Sequence, residues 1–534
     1  MTTSAFPAGA SSAAPEAAAV DRYRHRYIIA IAVTMAAMLE LIDTSIVNVA
    51  VPHMMGNLGA ELDEITWVSV GYIIANVIVI PMSPWLSAYF GRRRYLTGSI
   101  ILFVIASMFC GASSQLASLV FWRVIQGIGG GALLSTAQAT LWESFPPEEI
   151  SIGQAMYGVG VMVGPTIGPT LGGWIVDNWN WPWIFYINLP IGAVAAAMTW
   201  MYVTDSEFQE RAKKVDWLGV GLLATAVGSL QWMLERGERM DWFESPFIVT
   251  LTVISAVSAT WLVIHELRTD EPVIDFHILR DRHLSTGVVM GTMLGFALFG
   301  SVFVLPVFLQ TLHGFTANQT GLVILPGAIA SAVTMAILGK RLRMATDGRP
   351  VIVLGSVLFG VCMWQLASLT YDSGQRDLFW PLVLRGVGLG FIFIPLNNIT
   401  LANLRPRDLA QGTGMLNLAR QLGGSLGIAV MATMLTRFTR EKKALLAERL
   451  TVTAPDALSR LDAYARGLTS RGINPALAKH GAAAVLDRAL TVQASVLAFS
   501  RIYIWSGIAL LAVLPLMLLW RSGKGRAAAA VDLH

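Results

Sequence analysis

From about residue 27 onward the chain alternates long apolar runs with short polar or charged interruptions. Runs able to cross roughly 30 Å of hydrocarbon as helices lie at about 27–51, 66–88, 95–114, 117–141, 151–176, 183–204, 215–234 and 246–265. Six more lie at about 284–308, 318–339, 350–370, 378–402, 410–436 and 500–520. The pattern predicts an all-α polytopic membrane protein with 14 transmembrane helices. Between the last two runs, about 437–499, charged residues mix with Ala and Leu at helical spacing, as in ALLAERL and LDAYARGL, which predicts amphipathic helices outside the bilayer.

Composition agrees. The 534 residues are 54% hydrophobic and 13% charged, against about one-quarter charged in a soluble domain. The net charge of +4 needs no nucleic-acid partner, because no basic run falls on an otherwise polar segment. It follows instead from the excess of Lys and Arg expected in cytoplasmic loops. With the N-terminus inside, the inner segments carry 21 Lys and Arg, and the short outer loops carry only Arg236, Arg239 and Arg376. Both termini are therefore expected in the cytoplasm. Residues 1–26 read as a disordered tail, and the apolar run that follows is too long for a signal-peptide core. Two cysteines, Cys110 and Cys362, each inside an apolar run, exclude a disulfide framework.

An internal repeat organises the spans. LVFWRVIQGIGGGALL, from Leu119, corresponds to LVLRGVGLGFIFIPL, from Leu382, and places Arg123 against Arg385. Further on, Pro147 aligns with Pro406, Gly164 with Gly423 and Gly168 with Gly427, all at an offset near 260. Such duplication marks transporter folds. It divides the chain into a bundle at 27–204, two inserted helices with their loops at 205–283, a second bundle at 284–520 that includes 437–499, and a tail at 521–534. The arrangement is 6+2+6.

One stretch breaks the rules for a stable helix. Gly158 to Gly173 reads GVGVMVGPTIGPTLGG, although in water an interior Gly costs about 1 kcal/mol relative to Ala and an interior Pro about 3 kcal/mol. Gly160, Gly164, Gly168 and Gly172 recur every four residues, a seam along which another backbone can come close. Pro165 and Pro169 permit a bend whose freed carbonyls neighbours must satisfy. A tight, bendable contact suits gating at a moving bundle interface; static packing is the alternative.

LIDTSIVNVAVP (Leu41 to Pro52), RVIQGIGGG (Arg123 to Gly131), this glycine run and WNWPWIFYINLPIG (Trp179 to Gly192) follow in order. Together they resemble the fourteen-span drug:proton antiporter branch of the major facilitator superfamily. GSLQWMLERGERMDWF (Gly228 to Phe243) brings the likeness closest to the EmrB-like multidrug exporters. The resemblance implies a major facilitator fold, with substrate bound between two bundles that rock about the midplane. It further implies export of amphipathic small molecules across a bacterial inner membrane in exchange for protons, with no cofactor besides the proton gradient. In that family the glycine run is the antiporter motif. A periplasmic adaptor and an outer-membrane channel are implied partners; 437–499 is the candidate adaptor dock, with partnerless membrane-surface helices as the alternative. The loop PWLSAYFGRRR departs from the superfamily pattern: Ala88 stands for its Asp and Tyr89 for its Arg, so Gly91, Arg92 and Arg93 remain as a cytoplasmic anchor without that relay.

Proton coupling needs a membrane carboxyl that can be ionised or neutral as its surroundings change. Only Glu40 and Asp43 lie deep in the predicted spans, at i and i+3 on one face. Protonation of either from outside, competing with substrate, is the expected coupling step. For Asp43 the alternative is a structural role against Thr44 and Asn48; for Glu40 it is substrate attraction or pore lining. Arg123 resembles the span-four arginine of the family, which biases the charge state of a nearby carboxylate. Arg385 and Arg420 are second-half candidates for the same role, or structural donors to backbone carbonyls. GIGGGA lacks a preceding strand and is no dinucleotide loop. Neither a Walker loop nor a metal-ligand spacing occurs, and short loops without paired catalytic groups argue against a membrane enzyme. A dedicated exporter of one metabolite, lipid or siderophore is the remaining transport reading.

Overall fold

The computed structural model describes residues 23–206, 215–342, 347–448, 450 and 455–520. The tail up to residue 22, the C-terminal tail from 521, and Arg211, Lys213, Lys214 and Arg343 lie outside the described residues. Fourteen helices are long and apolar enough to cross a membrane. They are α1 (Arg26–Leu58), α2 (Trp67–Phe90), α3 (Arg92–Ala112), α4 (Leu116–Ser144), α5 (Ile150–Asn178), α6 (Asn188–Tyr202, whose span is completed by the short helix Trp183–Tyr186 before it) and α7 (Trp217–Arg236). The series continues with α8 (Pro246–Glu266), α9 (Arg282–His313), α10 (Ala317–Arg341), α11 (Arg349–Ala367), α12 (Gln375–Leu401), α13 (Leu409–Glu448) and α14 (Pro475–Ala512). No strand occurs among the described residues.

Local chemistry sets the ends. Asp281 caps α9 by accepting from the His283 and Leu284 amides, and Thr316 with Gln319 forms a capping box on α10. Both α1 and α9 stop at glycines in the left-handed region, Gly59 (φ 63°) and Gly314 (φ 67°), where a side chain would be strained.

Packing repeats with a shift of eight helices. Within α1–α6 the closest pairs are α1 with α5, α2 with α4, α3 with α4 and α6, and α1 with α4 and α6. Within α9–α14 the same pairings recur: α9 with α13, α10 with α12, α11 with α12 and α14, and α9 with α12 and α14. Repeat-related glycines occupy matching seams. Gly164 and Gly168 of α5 lie on α1 at Leu41 and Ser45, and Gly423 and Gly427 of α13 lie on α9 at Thr292 and Phe296. The two sets meet mainly through α5 against α10, with α2 and α4 against α13.

Helix α7 packs on both α2 and α13. Arg236 at its end pairs with Asp63, while Gln231 donates to Ser425 Oγ (2.9 Å) and Trp242 Nε1 to Thr433 Oγ1 (2.9 Å). Helix α8 packs on α7 and is otherwise largely exposed, as a lipid-facing helix is.

The end of the chain differs from the sequence expectation. The apolar run at 410–436 is only part of α13, which continues to Glu448, and α14 begins at Pro475 rather than near residue 500. At 1.5 Å per residue the 40 residues of α13 extend about 60 Å, twice the hydrocarbon thickness. Helix Pro455–Ser470 packs on α14. The described residues of 437–499 are therefore mostly helical, built largely from continuations of α13 and α14 that stand against each other. Lys443 Nζ lies 2.8 Å from Asp487 Oδ1, and Arg501 pairs with Glu441 (3.4 Å). Hydropathy ends a span where charge begins; helix geometry does not.

Candidate functional site

Asp43 and Arg123 are 80 positions apart in sequence and fully buried together, with Arg123 Nη1 2.5 Å from Asp43 Oδ2. Asp43 Oδ1 accepts from Gln126 Nε2 (2.8 Å) and from Asn188 Nδ2 (2.9 Å), so α1, α4 and α6 converge on one carboxylate. Asn188 also donates to Ser107 Oγ of α3 (3.0 Å). Arg123 donates in addition to Val68 O (3.0 Å) and Gln126 Oε1 (2.8 Å), and its guanidinium lies 4.1 Å from the centre of the Tyr72 ring. A charge inside a membrane protein is costly unless paired and hydrogen-bonded. This pair is both. Thr44 and Asn48 are not its partners: Thr44 donates to Glu40 O, and Asn48 accepts from Ser69.

The glycines after Arg123 make this reach possible. A side chain at Gly127 would fall on Tyr72 O, and one at Gly131 would lie 2.6 Å from Asn76 O, so α4 lies close against α2. Gly129 faces Ser99 and Phe103 of α3 in the same way.

Glu40 has a separate environment. It is buried, its Oε1 accepts from Asn76 Nδ2 (2.9 Å), and its Oε2 has no hydrogen-bond partner. Glu40 and Asp43 share α1 but not a partner, so one charge can change without breaking the other's bonds.

In the second half, neither Arg385 nor Arg420 pairs with a carboxylate among the described residues. Arg420 donates to Asn397 Oδ1 (2.9 Å) and Asn417 Oδ1 (3.3 Å) and lies over Phe393. Arg385 Nη1 is buried without a partner. The aligned arginines therefore differ: Arg123 has its acid, and Arg385 has none among the described residues. Both second-half arginines line a cavity between the two helix sets, which in this conformation has a volume of about 60 Å³. Leu41, Leu134, Met162, Pro165 and Thr166 line it from one side, and Phe299, Ser331, Asn417 and Gln421 from the other.

The glycine run spans both edges of this cavity. Gly160, Gly164, Gly168 and Gly172 face Thr34, Leu41, Ser45 and Ile46 of α1, so the four-residue seam lies inside the first helix set. The contact between sets uses the other face of α5: Gly158 on Met335 and Phe393, Thr170 on Gly321, and Gly173 on Asn318. Pro165 and Pro169 stay within one continuous helix, and Pro165 lines the cavity.

At the end of the molecule bearing the N-terminus, Gly91 has φ 87° and turns the chain between α2 and α3. Arg92 is buried and pairs with Glu143 of α4 (2.6 Å). The Arg93 amide donates to Asp205 Oδ1 (3.0 Å), and its guanidinium lies 4.3 Å from the Trp200 ring centre. The carboxylate missing from the loop is thus supplied from α4 and from beyond α6.

The family model described as Major Facilitator Superfamily matches residues 8–428. The chain belongs to the major facilitator superfamily. It is 36% identical over 432 residues to the multidrug export protein EmrB of Escherichia coli strain K12, covering 80% of this chain and 84% of that one. It is 31% identical to the fatty acid resistance protein FarB of Neisseria gonorrhoeae over 92% of this chain and 96% of the relative. EmrB of Haemophilus influenzae is 32% identical over 76% of this chain and 80% of its own. Among solved structures, the human organic anion transporter MFSD10 (TETRAN) has the same fold, with a TM-score of 0.56 at 14% identity, covering 91% of this chain and 99% of that one.

In this superfamily member, sequence reasoning missed the neutral partners. Gln126 lies one helical turn beyond Arg123 in RVIQG, and Asn188 lies within INLPIG. A polar amide repeated at i+3 from a buried charge was the available signal for Gln126. Glu143 and Asp205 carried none, because each sits where a span meets a loop. Glu266, fully buried at the end of α8, was passed over for the same reason.

Proposed function

We propose that this chain is a proton-coupled exporter of amphipathic drugs and toxic compounds. It works in a bacterial inner membrane with both termini in the cytoplasm. On this reading the domains are the six-helix bundles 27–204 and 284–520, joined by the inserted pair at 205–283, and they rock in a 6+2+6 arrangement around the central cavity. The observation that carries the reading is the buried Asp43–Arg123 pair with its amide partners Gln126 and Asn188. A proton on Asp43 removes the charge that holds Arg123, while Val68 O, Gln126 and the Tyr72 ring still keep the guanidinium in place. Helix α1 is then free to shift against α4, and α5 shifts with it along the glycine seam. Glu40, whose Oε1 accepts from Asn76, is the second proton carrier.

The names of the EmrB relatives support a drug-export role, and the projecting ends of α13 and α14 fit an adaptor dock that would hand substrate to an outer-membrane channel. No enzymatic step is part of this reading. A second reading, a dedicated exporter of one lipid-like metabolite, is favoured by the FarB relative's name.

Drug-driven proton release from proteoliposomes tests the first reading, with a cationic dye such as ethidium and an anionic uncoupler as substrates. Wild type should release protons with at least one of the two. Asp43→Asn should bind but not exchange, and Glu40→Gln should exchange with an altered pH profile. Transport driven by a pH gradient in Asp43→Asn would remove coupling from α1. Failure of wild type to move either compound would turn the search to a single native substrate.

A further inference from the structure

The central cavity holds two buried guanidiniums and no acid. Among the residues that line it, only Arg385 and Arg420 are charged; none is Asp, Glu or His. Each is 5% exposed, and neither forms an ion pair with a described residue. Arg420 spends two nitrogens on the neutral amides Asn397 and Asn417 and keeps Nε unpartnered; Arg385 Nη1 has no partner either. The repeat makes the contrast sharp, because Arg123, at the aligned position, is neutralised by Asp43.

Holding an uncompensated guanidinium in a membrane interior costs several kcal/mol. A fold that keeps two in one cavity gains if the missing charge arrives with a ligand. Guanidinium matches carboxylate geometry with paired donors; the cavity of about 60 Å³ has room for such a headgroup, and the apolar wall of Leu41, Leu134, Met162, Phe299 and Leu389 would meet an apolar body as the two helix sets part. A cation entering the same space would meet two like charges without a counter-ion.

We propose that Arg385 and Arg420 form the receptor for the headgroup of the exported compound, and that the cavity selects amphipathic organic anions, carboxylates with an apolar body, over cations. This rests on the cavity being the transport site. It narrows the substrate class and adds a role for both arginines that proton coupling does not use.

The test is a fluorescence titration of the full chain in zwitterionic nanodiscs at pH 8. The probes are dansyl-undecanoic acid, its methyl ester and a dansyl-alkylamine of matched length. Wild type should bind the acid about tenfold or more tightly than the ester or the amine, since a charge-assisted, desolvated pair is strong. Arg385→Gln and Arg420→Gln should each erase most of that preference, and Arg420→Lys should keep part of it. Gln421→Glu, which adds an acid to the cavity wall without deleting a packed arginine, should weaken the acid and strengthen the amine. Equal binding of acid and ester by wild type would overturn the proposal, as would a preference for the amine or one that survives Arg385→Gln/Arg420→Gln. Displacement of the acid by equimolar inorganic phosphate would also overturn it, marking a general anion site. Selective binding of the acid with no movement under any gradient would leave the receptor standing and sink the exporter reading.

Discussion

Removing one member of the Asp43–Arg123 pair leaves a full charge buried among Val68, Tyr72 and Phe185. Breaking such a pair costs about 3–5 kcal/mol, whereas replacing both charges with neutral groups is often close to neutral. Asp43→Asn and Arg123→Gln should therefore each lower the melting temperature in detergent, and Asp43→Asn/Arg123→Gln should recover most of the loss. Exchange of drug for protons should stay absent in all three. A double variant that regained both stability and exchange would make the pair a structural element only. The types of both residues were readable in the sequence, because charges inside apolar runs stand out. Their meeting was not: it needs α4 to lie against α1, and periodicity within one helix says nothing about its neighbour. Gln126 and Asn188 were less legible still, since a lone amide in an apolar run has the same pattern whether it orients a carboxylate or caps a turn. Arg385 and Arg420 looked like Arg123 in sequence; only the packing shows that no described carboxylate pairs with them.

At the scale of the helix, the glycine seam makes a claim that can be measured. A methyl group at Gly168 would fall on Ser45 Oγ and Cβ, so α5 must withdraw from α1 or Ser45 must move. Overpacking of this kind costs about 1–3 kcal/mol. Gly168→Ala should lower thermal stability and slow transport, and adding Ser45→Gly should restore both in part. Gly98→Ala, on an open face of α3 with nothing within 4 Å, should change neither. If Gly168→Ala behaved like Gly98→Ala, the close α1–α5 contact would have no energetic weight. The four-residue spacing announced a close backbone contact, and α1 provides it; the expectation that this face lies between the bundles is corrected, because the contact between sets uses the other face of α5. The fourteen spans themselves were legible because each is an unbroken apolar run; the ends of α13 and α14 were not. Charged residues such as Arg437, Glu441 and Lys443 close a hydropathy window, yet they are compatible with helix, and Glu441 and Lys443 find partners on α14.

For the whole molecule, the shift of eight helices in the packing means that two similar bodies meet along α5 and α10. That seam runs from Ala155 against Gly339 near one end to Gly173 against Asn318 near the other. At the bundle end bearing the N-terminus it is reinforced by Asn398 donating to Ser151 Oγ and Asn417 donating to Gln138 Oε1, both at 2.9 Å. Alternating access requires the two ends to open in turn, so a covalent link at one end should stop the cycle while leaving the cavity intact. A Cβ built on Gly173 lies 3.6 Å from Asn318 Cβ, within the range a disulfide accepts. Gly173→Cys/Asn318→Cys should form this bond under mild oxidant, and the oxidised protein should bind substrate but not transport it. Reduction should return transport to the level of the single variants, which guards against damage from the substitutions alone. Full transport by the cross-linked protein would mean that α5 and α10 move as one body. The moving interface would then have to be sought along α2, α4 and α13, where α7 ties the halves together through Asp63 and Ser425.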